Sequence, residues 1–423
     1  MRWLIVEDAL SDRKGHWAEY IGTFRRGLQQ QGDEVTILCD RQAEDFILSS
    51  LEAKPLLPQS IWHRMGDGAG ALTRFLRLPL HAIKTWFSLR NYFRKHGSDP
   101  SPDIIFVPTV LPHHLLGWYF LLKSGLLDCR TTLLLFFPNL PLKLERDGSP
   151  HWLPAPTARL MAWLFEKMRP LVECRKVVLG VETEAMRRSL AHLTKLPILY
   201  LPHPVDPLPG EGSDDGDSLC FAAYGVARAE KGSDLFQSAI EKYLVNYPES
   251  RIRFAIQWVD SFNDERGNRV DLSEILSKSK RVDVISSFFQ EGEYAKRFSH
   301  TSALVLPYRV SSYALRVSRV VIEAMVNGLP VIATEETTLW DQLKQFGAGK
   351  DCSNEDVDFL VLAIREMELK YAEYAALALL AAKRARDHFS VANFRNLLLD
   401  FRPADQSLET HPLSVTKEHA THE

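Results

Sequence analysis

Two basic segments and one misplaced acid are where this sequence could do chemistry. The stretch Tyr308–Arg319, YRVSSYALRVSR, carries Arg309, Arg316 and Arg319 and no acidic residue. It leads into VVIEAMVNGLPVIAT, read as a helix to about Asn327 that stops at Gly328 and Pro330, then a buried strand Val331–Thr334. Ser318 is placed to cap that helix, its hydroxyl accepting an orphan amide hydrogen. A helix start with bare amides among arginines is an anion site. Glu323 lies about one turn inside the helix, between Ile322 and Ala324, where the helix should face the sheet. A carboxylate buried there is costly without donors. The two hydroxyls of a ribose diol beside a bound diphosphate would supply them; the plainer alternative is a surface glutamate on an amphipathic helix.

The second basic segment lies upstream. Leu219–Tyr224 reads as a strand, and GVARAEKGSDLF follows it. Gly225 permits a tight turn, Arg228 and Lys231 are basic, and Gly232–Ser233 opens a helix. Cations fixed at the end of a strand best stabilise negative charge that develops on a leaving diphosphate. A basic pair alone is a weak signal; its coupling to the Glu323 segment makes it fairly specific.

These residues carry a resemblance. IEAMVNGLPVIAT closely resembles the EAMACGLPVIAT stretch of the family 4 retaining glycosyltransferases, which have the GT-B fold. Gly225, Lys231 and Gly232 match the spacing of that family's G-R-L-x-x-x-K-G motif, with Val226 where the arginine usually stands and Arg228 two residues on. The resemblance implies an α/β enzyme with two Rossmann-like domains facing a cleft. It would transfer a sugar from a nucleoside-diphosphate sugar to a hydroxyl acceptor, a glycan or a glycolipid, with retention of configuration. Glu323 would hold the donor ribose. Lys231, Arg228 and the helix start at Ser318–Arg319 would hold the diphosphate, so that no metal and no further cofactor is expected. Gly225, Arg316, Val320 and Tyr308 join the expected donor site, with Phe288 as a ring that could stack on the base.

The chain departs from the family pattern at Leu315, where the family has a glutamate that contacts the donor sugar, and at Arg316 and Ser318, where it has glycines. The histidine that commonly follows an N-domain strand in the family is also absent, although His113 and His114 stand close to that place. With Gly15 and His16 in the loop after the first strand, they are the acceptor-side candidates. Two rival readings stay open: a nucleotide-sugar epimerase or phosphorylase on the same fold, and a non-catalytic GT-B scaffold or regulatory protein. Leu315 and the missing histidine favour the latter; retained Lys231 and Glu323 argue against it.

The elements that must position these residues follow a βα rhythm. In the first half, Trp3–Val6, Val35–Leu38, Ile104–Val107, Thr131–Phe137, Val177–Gly180 and Ile198–Leu201 are short apolar runs of strand length. Helical spacing recurs at Trp17, Ile21, Phe24 and Leu28, and again over Leu160–Arg175. There is no G-x-G-x-x-G after the first strand, so dinucleotide binding is not supported. The second half repeats the plan with Leu219–Tyr224, Ile252–Val259, Val282–Ile285, Ala303–Leu306 and Val331–Thr334; Asp260–Ser279 reads as loop plus helix. The expected division is 1–209, an acceptor-side domain; 210–217, a polar acidic linker; 218–375, a nucleotide-sugar domain; 376–402, a helix crossing back to the first domain; and 403–423, a flexible tail.

Length and composition agree with this. A chain of 423 residues suggests two to three domains on a soft prior. A net charge of −3 gives no argument for nucleic acid. The five cysteines, Cys39, Cys129, Cys174, Cys220 and Cys352, are scattered without a C-x-x-C pair, which fits a reducing cytoplasm. No secretory leader is read at the start of the chain. The apolar stretch Ile104–Leu122 is broken by Pro108 and Pro112 and reads as strand, loop and buried helix rather than a membrane span. Residues 71–96 carry Arg74, Arg77, Lys84, Arg90, Arg94 and Lys95 among apolar residues and no acid. Such a segment either packs on the sheet with a solvated basic face or lies on an anionic membrane surface. The expected location is therefore cytoplasmic, with peripheral contact at the inner membrane face as the alternative.

Overall fold

The computed structural model describes residues 1–12, 17–60, 71–96, 100–144, 149–153, 155–209, 218–290 and 292–401, and for 71–76 the backbone alone. Gly15, His16, the expected linker 210–217 and the expected tail 403–423 lie outside the described residues.

The first half alternates strand and helix. Its elements are β1 (Arg2–Val6), α1 (Trp17–Gln30), β2 (Glu34–Asp40), α2 (Asp45–Ser50), β3 (Lys54–Leu57), α3 (Ala71–Lys95), β4 (Ile104–Val107), α4 (His114–Lys123), β5 (Thr132–Phe137), a small hairpin β6 (Leu142–Leu144) and β7 (Pro150–Trp152), α5 (Ala155–Glu173), β8 (Val177–Val181), α6 (Glu184–Ala191) and β9 (Ile198–Tyr200). Seven of the strands form one parallel sheet in the order β3-β2-β1-β4-β5-β8-β9. A parallel sheet covered on both faces must be apolar throughout, which is why its strands read as unbroken apolar runs. Side chains alternate between the faces. Leu4 and Val6 join a core with α3, α4 and α5, while Trp3 and Ile5 join one with α1 on the other side.

The second half repeats the plan. It comprises β10 (Cys220–Ala223), α7 (Ser233–Asn246), β11 (Arg253–Gln257), a hairpin β12 (Phe262–Asn263) and β13 (Arg269–Val270), α8 (Glu274–Lys278), β14 (Val282–Ile285), α9 (Glu293–Ser299), β15 (Ala303–Leu306), α10 (Val310–Tyr313), α11 (Arg319–Asn327), β16 (Val331–Thr334), α12 (Thr338–Phe346), β17 (Gly349–Cys352), α13 (Val357–Leu369), α14 (Tyr371–His388) and α15 (Val391–Phe401). Its parallel sheet runs β14-β11-β10-β15-β16-β17. Leu304 and Leu306 face one core, Ala303 and Val305 the other. The polar segment 260–279 holds the β12–β13 hairpin as well as a helix.

Within the expected 376–402, the crossing back to the first half is made by α15. Alanine-rich α14 stays with the second half, packed along α11, because its small side chains permit close helix approach. The chain then turns, and α15 enters the first core. There Phe394 lies 4.8 Å from Phe24, 5.5 Å from Phe106 and 5.9 Å from Phe136 between ring centres. Removing such a buried ring typically costs about 3–5 kcal/mol, so α15 is part of the first half's core rather than an appendage.

In both sheets the strand order reverses at the first strand: β1 lies between β2 and β4, and β10 between β11 and β15. Ligands bind in open α/β sheets at that reversal, outside the carboxyl ends of the strands. The loops after β1 and β4, and those after β10 and β15, are therefore where chemistry is expected.

Candidate functional site

In the second half, the loop after β10 is built around one lysine. Gly225 has φ +92°, a conformation glycine adopts without strain, and a Cβ there would lie 2.4 Å from Lys231 Nζ. The lysine ammonium occupies the space that any other residue at 225 would fill. Gly232, with φ +60°, closes the turn, and a Cβ there would meet the Pro307 carbonyl oxygen at the end of β15 at 2.0 Å. The two loops thus touch through glycine. The Gly225 amide donates to Gln257 Oε1 at 2.8 Å, and Gln257 Nε2 donates to the Ser287 carbonyl at 2.9 Å, tying in the loop after β14.

Lys231 ends a single 3-10 turn, Ala229–Lys231. Among the described residues no carboxylate lies within ion-pair distance of its ammonium; Glu230 instead faces Arg228 and Arg316, each at 3.6 Å. Burial, and next the charge of Arg228, push the Lys231 ammonium down to about 8. A half-buried, unpaired cation at a strand's carboxyl end is short of an anion. Ala223, Gly225, Lys231, Gln257, Pro307 and Tyr308 line a small cavity at this point. Arg228 and Arg316, both facing Glu230, are exposed.

Glu323 is buried, 2 % exposed, on α11. Its two oxygens already have donors: Arg319 Nε at 2.8 Å from Oε1 and the Tyr294 hydroxyl at 2.5 Å from Oε2. The protein itself therefore supplies the partners for which a ribose diol was invoked. Burial raises the Glu323 carboxyl above its usual range, against the pull of Arg319 and Tyr294. Arg319 also pairs with Glu19 of α1, so the carboxylate is wired to the first half.

Three expectations need correction. Arg309 is no anion ligand: it is buried and clamped by Asp234 at 2.7 Å and Glu355 at 2.7 Å, acids that the fold brings from other elements. Arg319 is likewise taken by Glu323 and Glu19, which leaves Arg316 as the exposed arginine of that loop. Ser318 does stand at the N-cap of α11 but caps nothing with its side chain. Its hydroxyl pairs with the Tyr308 phenol, whose ionisation burial pushes well above the usual range. Val320 packs half-buried on the core of this half, and Phe288 stands 64 % exposed beyond β14.

Leu315 shows how the altered loop is used. It is buried in the core of the first half, and its carbonyl accepts from the Thr183 hydroxyl at 2.8 Å. Thr183 also caps α6 by accepting from the Met186 amide. The place at which the resemblance puts a sugar-contacting glutamate is here a clasp between the halves.

The first half gathers a different set, which sequence reasoning left unassigned. Glu7 and Asp8 follow β1 directly, and Glu182 follows β8; all three are buried. Glu182 Oε1 lies 2.8 Å from Nδ1 of His203, and the His203 ring stacks on Tyr20 with centres 4.5 Å apart. His203 Nε2 is buried with no hydrogen-bond partner among the described residues. Burial and the adjacent Asp8 push the Glu7 carboxyl up to about 8. Burial disfavours the charged form of Asp8 too, but the nearby His114 and His81 outweigh it and hold the carboxyl below its usual range. His113 and His114, expected on the acceptor side, do open α4 beside this group. The signal that could have found it is an acid immediately after an apolar strand, in WLIVED and again in VVLGVE.

No protein-family model matches the chain, and no curated protein matches its sequence. Solved structures match over nearly its full length. HepE of Anabaena in complex with UDP-glucose shares 13 % identity at a TM-score of 0.60, covering 95 % of this chain and 98 % of HepE. Sucrose-phosphate synthase of Thermosynechococcus elongatus shares 15 % at 0.60, covering 95 % and 97 %. The lipopolysaccharide outer core galactosyltransferase WaaB, in its apo form, shares 14 % at 0.57, covering 95 % and 99 %. At these identities the likeness lies in the fold, two Rossmann-like parallel sheets in the GT-B arrangement.

Proposed function

We propose that the protein is a glycosyltransferase that passes a sugar from a nucleoside-diphosphate sugar to a hydroxyl acceptor, with retention of configuration. The observation that carries this reading is the half-buried Lys231 ammonium, held over Gly225 with no carboxylate partner among the described residues. In this reading the donor diphosphate lies against Lys231, with Arg228 and Arg316 beside it. The bond from the anomeric carbon to the diphosphate breaks as the acceptor oxygen bonds to that carbon on the same face. The acceptor's proton leaves with the diphosphate. Fixed cations stabilise the charge that develops on the leaving group, so this step calls for no metal at the diphosphate. Glu323 holds the ribose by exchanging Tyr294 or Arg319 for sugar hydroxyls. Glu182, His203 and Glu7, at the carboxyl ends of the first sheet, face the acceptor. HepE, which shares the fold, was solved with UDP-glucose and with UDP.

A lipid-linked acceptor would be met at the face formed by α3, α4 and α5. There Ile83, Phe87, Phe120 and Trp163 are exposed, with Arg90 over Trp86 and Lys167 over Trp163. No described helix is long and apolar enough to cross a membrane.

The test is thermal stability of wild type and Lys231→Ala against uridine, guanosine and adenosine diphosphates and their sugars. A ligand at ~100 times its dissociation constant stabilises by about 2.7 kcal/mol. A shift with one base that is lost in the variant supports the donor site; no shift with any base removes it. One observation favours a second reading, a donor-binding protein without turnover: Leu315 is spent on holding the halves together. Nucleotide binding with neither transfer nor hydrolysis of any sugar donor would select it.

A further inference from the structure

Three imidazoles meet where the first sheet reverses. His81 comes from α3, and His113 and His114 from the start of α4. One ring nitrogen from each lies within 4.8 Å of the other two. The ring centres of His113 and His114 are 4.1 Å apart, and His81 is 5.3 Å and 5.4 Å from them. Asp8, at the end of β1, places Oδ2 3.3 Å from His81 Nε2 and 3.5 Å from His114 Nε2. None of these four groups takes part in the donor site.

We propose that His81, His113 and His114 bind a divalent transition-metal ion of the zinc type, with Asp8 as the carboxylate that orients His81. The chemistry of the set fits: three neutral imidazoles and a carboxylate are the borderline donors that zinc takes, and three protein ligands leave a fourth position for water. The spacing fits as well. Bonds of ~2.0–2.1 Å in a tetrahedral site put ligand atoms about 3.3 Å apart, and His113 Nε2 lies 3.2 Å from His81 Nδ1.

The surrounding contacts also fit. A ligating histidine ordinarily gives its other ring nitrogen to a carboxylate or a carbonyl. Here His114 Nδ1 faces the Thr109 carbonyl at 3.2 Å, while His81 Nε2 faces Asp8.

The experiment uses the full chain, stripped with a chelator and titrated with zinc against a chromogenic competitor. The expected result is one zinc per chain at submicromolar dissociation constant. His113→Gln, at the half-buried position, should weaken it by about 100-fold or more, since even the loss of a residue that only orients a ligand costs 10–100-fold. Lys231→Ala should leave it unchanged, which separates this site from the donor site. Circular dichroism of zinc-free His113→Gln matching wild type shows that the fold is intact. His81→Gln serves in its place should that variant fail to fold. Absence of tight binding overturns the proposal. So does zinc uptake unaffected by either substitution, which would assign the ion to His411, His419 and His422 of the tail or to exposed Cys129 and Cys174.

Discussion

The two halves build their crevices at the same point of the same sheet plan and line them with opposite chemistry. At the reversal beside β10 stand a half-buried ammonium, two exposed guanidiniums and two phenols, Tyr308 and Tyr294. At the reversal beside β1 stand Glu7, Asp8, Glu182 and a group of imidazoles. The difference follows from what each is short of. Lys231 lacks an anion. His203 Nε2 lacks a hydrogen-bonding partner among the described residues. A fold of this kind separates the tasks of holding a charged leaving group and handling a neutral hydroxyl, and each task draws its own residue types.

If that division of labour holds, damage to one crevice should leave the other's task intact. The largest effect is expected for Glu182→Gln, which keeps the shape and removes the charge beside His203. Transfer should fall by about 100-fold or more, the lower end of what positioned proton-transfer groups contribute. Nucleoside diphosphate affinity should stay within twofold. A matched loss of affinity, read by calorimetry, would merge the two crevices into one site and break the comparison.

Lys231→Ala is the reciprocal change. Loss of a hydrogen bond to a charged group costs ~1.5–3 kcal/mol, or roughly 10–150-fold in diphosphate affinity. Zinc uptake and the fold should be untouched. Glu323→Ala should weaken the intact nucleotide by the same range but leave inorganic pyrophosphate binding unchanged, because the ribose is the group it is proposed to hold. Equal losses for both ligands would mean that Glu323 acts only by fixing Arg319 and Tyr294.

The pH dependence of the cation-lined crevice has two opposed signs. Folded Lys231 releases its proton near pH 8, well below its ordinary value of 10.5. Between those values the unfolded chain holds more protons, so stability should rise with pH there, by at most about 1.4 kcal/mol per unit. Diphosphate affinity should fall over the same range as the ammonium is lost. Thermal melts and calorimetry across pH 7–10 read both, and Lys231→Ala should flatten both.

The second crevice was far more legible in the sequence than the first. Gly225, Lys231 and Gly232 are neighbours in the chain and meet in space through one tight turn, so their spacing alone carries the geometry. Even there the arginines misled, because Asp234 and Glu355, which neutralise Arg309, lie on other elements. Both sheets were legible because their strands are continuous apolar runs. Of the carboxylates and imidazoles gathered in the first half, only His113 and His114 were singled out, as acceptor-side candidates. Glu7, His81, His113, Glu182 and His203 are scattered over most of that half, and only the closing of the sheet brings them together. Leu315 was legible as a departure, but its partner Thr183 and its role as a clasp depend on how the two halves meet.

Phe288 gives the smallest and sharpest contrast within the second crevice. It is 64 % exposed, so truncating it should change stability by no more than about 0.5 kcal/mol, as at other surface positions. An aromatic ring left in solvent beside the loop that Gln257 ties to Gly225 is placed to meet a planar base. Stacking of a base on such a ring is worth ~1–3 kcal/mol by alanine substitution; with one face of the ring solvated, the lower end applies. Phe288→Ala should therefore weaken nucleoside diphosphates several-fold and inorganic pyrophosphate not at all. Equal affinity of wild type and variant for the nucleotide would leave base recognition to the backbone around Ser287 and remove Phe288 from the donor site.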